Sequence, residues 1–352
     1  MRKLGRIAFL SIVAATIAIL LAVIGFRAAA WWRETAAAET FAPANGRFVE
    51  TALGRIHVSI WGAENAKTVV MTHGMAAWGG LWQETAEALQ AAEYSVIAVD
   101  MPPFGFSDRQ DRDFSRSRQA QRLKALETAL DLSGYFLVGH SYGGGIALEM
   151  ALLHPENVKA LVLVAPVIGL EPESVSDSVP EQPGMVKELL DSDVIAEALV
   201  SLSITNPLAT SFLTRQFMYR KDALTQRHVD ILQQPMPIVG NTSQMVSWLR
   251  QFLAGDPDAV SQRRKIVSKA QVPVSLIWGE KDMVTPITQG ETLAGVLKVT
   301  RFSRLQDVGH MPQLEAPEEF SETLVMMLNE LAASGGAAMR GPRLRPTLPV
   351  LH

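Results

Sequence analysis

Three segments of this chain carry side chains suited to covalent catalysis. In Gly139-His140-Ser141-Tyr142-Gly143 a serine sits between glycines, after the apolar run 135–138 and before the helix-forming stretch 144–150. Strand, sharp turn and helix are the context in which G-x-S-x-G exposes a nucleophile. The glycines allow a strained backbone and a close approach of strand and helix. The helix start aims free N–H groups at whatever is bound there. Serine needs a base, and the base needs an orienting acid. His310, in Val308-Gly309-His310-Met311-Pro312, is the candidate base. Asp282, in Gly279-Glu280-Lys281-Asp282 just past an apolar run, is the candidate acid. Glu280 and Asp307 are its rivals. Ser141, Asp282, His310 is one of the chain orders in which such triads occur.

The elements that must position these residues can be read around them. Residues 47–61 form two extended runs broken at Ala52-Leu53-Gly54, which predicts a β-hairpin turning at Gly54. The runs 68–72, 95–99, 135–138 and 160–165 are apolar or β-branched without strict alternation, as in strands buried on both faces of a parallel sheet. Helical windows at 81–91 and 117–131 lie between them, so the pattern is βαβ and the fold class α/β. After Pro166 the rhythm breaks. Residues 168–270 read as helical, with Pro207, Pro235, Pro237 and Pro257 as punctuation. Strands at 272–278 and 299–305 and a helix at 317–333 then restore the pattern. The expected organisation is a core at 45–167 and 271–333, interrupted by a helical cap at 168–270 that acts as a lid. The tail, 334–352, shows no burial pattern and is expected to be mobile.

The chain resembles the α/β-hydrolase superfamily, in its lid-bearing branch of esterases, peptidases, C–C bond hydrolases and cofactor-free perhydrolases. The likeness covers residues 47–333: the hairpin, His73-Gly74-Met75, the Asp100–Ser107 loop, the serine turn, and the Asp282 and His310 segments. It implies an eight-stranded, mostly parallel sheet. It also implies an oxyanion hole from the backbone N–H groups of Met75 and Tyr142. His73 is then a loop-shaping or pocket-lining residue, and Met75, Trp78 and Trp82 are candidates for an apolar pocket wall; packing of a helix start is an equal reading for the two tryptophans. Pro103 stands where the family usually has glycine, and Asp100 reads as structural. Relatives with an aspartate nucleophile, the epoxide hydrolases and haloalkane dehalogenases, are set aside because Ser141 holds that position.

Residues 1–33 are a separate segment. Arg2, Lys3 and Arg6 precede residues 7–26, whose only polar side chains are Ser11 and Thr16. At about 1.5 Å per residue this run spans about 30 Å, a bilayer's hydrocarbon thickness. Trp31 and Trp32 follow, suited to the headgroup layer, and the basic N-terminus favours a body on the extracytoplasmic side. The alternatives are a cleaved signal ending at Ala28-Ala29-Ala30, leaving a secreted or periplasmic protein, although the apolar run is long for one, and a buried or peripheral helix.

Composition narrows the functions further. The 352 residues carry a net charge of -4 and no concentrated basic surface, which argues against a nucleic-acid partner. No cysteine is present, so disulfides and thiolate chemistry are excluded. His57, His140, His154, His228 and His352 show no metal-ligand spacing, and no phosphate or dinucleotide loop is visible, so neither metal nor cofactor is expected. The leading activity is hydrolysis of carboxylic esters of small or medium apolar substrates. The alternatives are C–C bond or amide hydrolysis, perhydrolase chemistry, or a non-catalytic binding protein of this fold.

Overall fold

The computed structural model describes residues 2–63, 66–171 and 190–334. The expected mobile tail lies outside them except for its first residue, and so does part of the cap sequence, 172–189. In chain order the elements are α1 (Arg2–Arg33), β1 (Gly46–Thr51), β2 (Gly54–Trp61), β3 (Lys67–Thr72), α2 (Gln83–Ala91), β4 (Tyr94–Val99), α3 (Arg116–Ala129), β5 (Tyr135–His140), α4 (Ser141–Leu153) and β6 (Val158–Val164). The cap helices follow: α5 (Asp193–Leu202), α6 (Pro207–Gln216), α7 (Gln226–Gln233) and α8 (Asn241–Ala254). The chain returns through β7 (Val274–Gly279), α9 (Ile287–Leu297), β8 (Arg301–Leu305) and α10 (Pro317–Ser334).

The eight strands form one sheet in the order β1-β2-β4-β3-β5-β6-β7-β8. The hairpin β1–β2 is antiparallel and joins β4 antiparallel, and all other pairs are parallel. Gly54 turns the hairpin with φ +102°, a conformation that L side chains rarely adopt. The central strands are buried on both faces because helices cover both. Leu123 of α3, Ile146 of α4 and Leu293 of α9 pack with Leu137 of β5 on one side. Leu89 of α2 and Phe320 and Leu324 of α10 pack with Phe136 and Val138 on the other. This is why the strand sequences lack alternation.

Two buried charged side chains fasten the cap where it leaves and rejoins the core. Arg116 donates to the carbonyls of Val167 (3.0 Å) and Ile168 (2.5 Å) at the exit from β6. Glu149, fully buried in α4, accepts from the amides of Val260 (3.1 Å) and Ser261 (2.7 Å) on the return. Asp100 is structural, as expected. It bonds the His57 ring (2.9 Å) and the amides of Gly79 (2.8 Å) and Phe106 (2.9 Å), holding the loop beside the site.

Helix α1 is one continuous helix, and its stretch Phe9–Arg33 is long and apolar enough to cross a membrane. Its far end is not separate from the body. Arg27 pairs with Glu197 of α5 (2.8 Å), Arg33 donates to the Thr205 carbonyl (2.6 Å), and Glu34 accepts from the Thr242 amide (3.0 Å). Ala36 then exchanges backbone hydrogen bonds with Pro237 and Val239. The segment that sequence set apart is thus stitched to the cap.

Candidate active site

Strand β5 ends at His140 and α4 begins at Ser141, whose φ is +53°. A non-glycine residue at positive φ is strained, and the surrounding packing enforces it. A side chain on Gly139 would put Cβ 2.6 Å from the Gly143 carbonyl oxygen, and one on Gly143 would put it 2.5 Å from that of His73. Both positions therefore require glycine. The turn is further held by the Val167 amide, which donates to the Ser141 carbonyl (2.9 Å).

His310 lies on the loop after β8, with Nε2 2.8 Å from Ser141 Oγ and Nδ1 2.8 Å from Asp282 Oδ2. Ser141, His310 and Asp282 are all buried. With Nδ1 protonated toward the carboxylate, Nε2 is free to accept the serine proton. Asp282 also accepts from the Val284 amide (2.8 Å), the Thr285 amide (2.9 Å) and Thr285 Oγ1 (2.8 Å). Burial works to raise its pKa, but the hydrogen bond and charge of His310 and the Thr285 donors outweigh burial, and it stays below the ordinary carboxylate range. The rivals Glu280 and Asp307 are exposed side chains, and Asp282 is the carboxylate hydrogen-bonded to His310.

A sequence profile of the alpha/beta hydrolase fold matches residues 67–317. The chain belongs to the α/β-hydrolase fold family. It is 25% identical over 298 residues, 81% of this chain and 91% of the relative, to 2-hydroxy-6-oxo-6-(2'-aminophenyl)hexa-2,4-dienoic acid hydrolase of Metapseudomonas resinovorans. Among solved structures it is similar to a membrane phospholipase A (TM-score 0.64, 21% identity, 95% of this chain and 99% of the other). It is also similar to an esterase of Exiguobacterium antarcticum (TM-score 0.64, 22% identity, 81% and 99%). With its buried histidine–aspartate pair at the family's serine turn, the protein is a serine hydrolase of this fold.

The triad opens into a cavity between core and cap of about 240 Å³. Its floor is Ser141, His310, His140, Gln313 and the His73–Ala77 loop, and its roof is Ile204, Leu213, Phe217, Leu232, Met236, Trp248, Leu249, Phe252 and Leu253. Among the described residues no lysine, arginine or carboxylate lines it. Met75 is on its wall. Tyr142 presents only its backbone toward Ser141, because its ring packs against Phe104, Trp248 and Phe252 and its hydroxyl donates to the Phe114 carbonyl (3.0 Å). Burial raises the Tyr142 pKa.

His73 lines the cavity and shapes its loop: Nδ1 donates to the Gly74 carbonyl (2.8 Å) and Nε2 accepts from the Met101 amide (3.0 Å). Burial lowers its pKa, and the charge of Asp100 only partly opposes this. Trp82 reaches the cavity wall. The structure places Trp78 elsewhere. Its indole donates to the Ile231 carbonyl (2.6 Å) and packs edge-on to Phe106, lining a separate small cavity.

The roles of two residues around His310 escaped the sequence reading. His140 Nε2 donates to the His310 carbonyl (2.7 Å), while its Nδ1 accepts from Gln313 (3.3 Å). Burial, with the neighbouring His310 second, pushes the His140 pKa down to about 3, so it is a neutral strut. Glu315, buried, accepts from the amides of Gly309 (2.9 Å) and Met311 (3.0 Å) on either side of His310. The same carboxylate accepts from the cap amides of Tyr219 (2.9 Å) and Arg220 (2.8 Å). Its only sequence signal is an acid five positions after the base, in a stretch that reads as an ordinary helix start.

Among the described residues no cluster of three or more histidine, aspartate or glutamate side chains is placed to hold a metal.

Proposed function

We propose that this serine hydrolase cleaves carboxylic esters with an apolar acyl group, from a position at a membrane surface. The observation that carries the reading is the cavity: its roof is apolar and no cation among the described residues lines it to receive a substrate carboxylate. An acyl chain gains about 25 cal/mol per Å² of apolar area buried there, whereas a carboxylate would lose hydration without a partner.

In this mechanism His310 Nε2 takes the Ser141 proton as Oγ attacks the ester carbonyl, and Asp282 holds the ring and stabilises its positive charge. The Met75 and Tyr142 amides receive the oxyanion; one such donor is worth roughly 3 kcal/mol. The tetrahedral intermediate collapses, His310 protonates the departing alkoxide, and the acyl group remains on Ser141. Water then gives its proton to His310 and attacks the acyl carbonyl, and the acid leaves as Oγ regains a proton.

Hydrolysis of a C–C bond in a dienone acid is the second reading, favoured by the dienoic acid hydrolase among the sequence relatives. The comparisons lean toward it and the cavity leans toward esters. Assay of p-nitrophenyl esters of rising chain length beside a 2-hydroxy-6-oxo-dienoic acid decides between them. Ester turnover rising with chain length supports the first, and turnover of the dienoic acid alone overturns it. Ser141→Ala is expected to lose labelling by a fluorophosphonate and about 10⁶-fold in kcat.

The membrane reading rests on α1, with residues 7–26 in the bilayer and the catalytic body on the extracytoplasmic side. Retention of full-length protein in carbonate-washed membranes tests it; release as a soluble, shortened chain overturns it in favour of a cleaved signal.

A further inference from the structure

Helices α5 and α6 have two unlike faces. The inner face of α6 gives Thr210, Leu213 and Thr214 to the catalytic cavity. The outer faces expose large apolar side chains: Val194 (79%), Ile195, Leu199 and Leu202 on α5, then Leu208 (84%) and Phe212 (66%) on α6. Side chains at 194, 195, 199 and 202 share one side of a helix, as do 208 and 212. Folded soluble proteins seldom leave large contiguous apolar patches uncovered.

The position of α1 says what covers them. Arg27, the first polar residue after the apolar run, pairs with Glu197 in the middle of α5. That contact sets α5 at the level where α1 leaves the hydrocarbon. Arg33, which binds the Thr205 carbonyl between α5 and α6, is six residues further, about 9 Å along the axis. The corner between the two helices therefore lies at the outer edge of the headgroup layer, roughly 5–8 Å thick, with α5 running back from it toward the hydrocarbon at Glu197. Trp31 and Trp32 are exposed four and five residues past Arg27, about 6–8 Å along the axis and within that layer, where such rings settle. Arg215, exposed at the end of α6, is placed to meet lipid phosphate.

We propose that the outer face of α5 and α6 is seated in the bilayer surface beside α1, so that acyl substrates reach Ser141 from the lipid. This rests on the reading of α1 as a membrane span and adds a second, catalytically placed contact to it. The cap then presents its outer side to lipid and its inner side to the acyl-enzyme, one helix thick.

Because the chain has no cysteine, single reporters can be placed in the full-length protein without background. Ile17→Cys, Leu208→Cys, Phe212→Cys and Met326→Cys, each carrying a fluorophore, would be reconstituted in phosphatidylethanolamine–phosphatidylglycerol vesicles. They would then be quenched by doxyl-labelled lipid or by aqueous iodide. The expected result is lipid quenching and iodide protection at 17, 208 and 212, and the reverse at 326. Lipid quenching at 17 with iodide quenching at 208 and 212 overturns the cap contact and leaves the anchor standing. Iodide quenching at 17 as well overturns both. Disulfide capture of Leu208→Cys between two copies, without lipid quenching, assigns the face to a second molecule and overturns the proposal. In the combined Val194→Asn, Leu208→Asn, Phe212→Asn variant, kcat/KM is expected to fall roughly tenfold on a vesicle-borne ester and to hold on a short soluble one. An equal fall on both overturns the proposal.

Discussion

The floor and the roof of the cavity are built on opposite principles. On the floor, polar atoms are fixed by hydrogen bonds: Asp282 accepts four, Glu315 accepts four from backbone amides, and His140 braces the His310 carbonyl. On the roof, Leu213, Phe217, Trp248 and Phe252 offer apolar surface. Hydrogen bonds are directional and dispersion is not. The floor therefore fixes where a proton moves, while the roof presents apolar surface that makes no directional demand.

Substitutions on the floor should cost rate, and those on the roof should shift preference. The largest effect short of losing the nucleophile is expected for Asp282→Asn, about 10⁴-fold in kcat with the fold intact, because the amide holds the wrong histidine tautomer. Near-wild-type turnover would hand the orienting role to another acid. Glu315→Gln is expected next. One amide oxygen cannot replace a carboxylate that receives four N–H groups, and hydrogen bonds to charge contribute about 1.5–3 kcal/mol each. A fall in kcat of about 10- to 100-fold with little change in KM would show that the clamp sets His310; a change in melting temperature alone would make it structural. On the roof, Leu213→Trp should lower kcat/KM for long acyl chains about tenfold relative to short ones. An equal change for all chain lengths would blur the distinction between floor and roof.

The smallest expected effect concerns pH. The folded pKa of His140 is about 3, below the roughly 6.5 of an unfolded histidine. Above pH 6.5 both states are neutral there and the residue adds no pH dependence. Between 6.5 and 3 the unfolded chain binds the proton and the folded one does not, so stability falls as pH falls, by at most about 1.4 kcal/mol per unit from this group. His140→Gln should flatten the melting temperature between pH 6.5 and 4, and an unchanged slope would place the acid sensitivity elsewhere.

The difference between floor and roof also explains what sequence could reveal. Ser141 and Asp282 were readable because each follows a strand buried on both faces, and such strands announce themselves by unbroken apolar runs. His310 follows the mostly exposed β8 and was readable from its own Val308-Gly309-His310-Met311-Pro312 segment and its place in the chain order. The hairpin was equally legible at Gly54. Trp78 was not, because a four-residue spacing with Trp82 says only that both lie near one helix face, and the segment begins as a 3-10 turn at Gly79–Trp82. Glu315 was hidden because its partners are backbone amides, which have no sequence signature, and two of them belong to the cap. The cap's two-faced character was hidden for the same reason. Apolar residues at helical spacing look alike whether they meet a substrate, a core or a lipid.

One link sets an order on synthesis. Thr242, which receives Glu34, lies 208 residues later in the chain. At the usual 5–20 residues per second, α1 leaves the ribosome about 10–40 s before its binding site exists. The junction of α1 and cap is therefore a late event, closed only when the chain has built β1 to β6 and most of the cap. A nascent chain stalled inside the cap would be partly folded, with the Glu34 carboxylate still lacking its Thr242 donor, and so would carry a local mark of incompleteness at the end of α1.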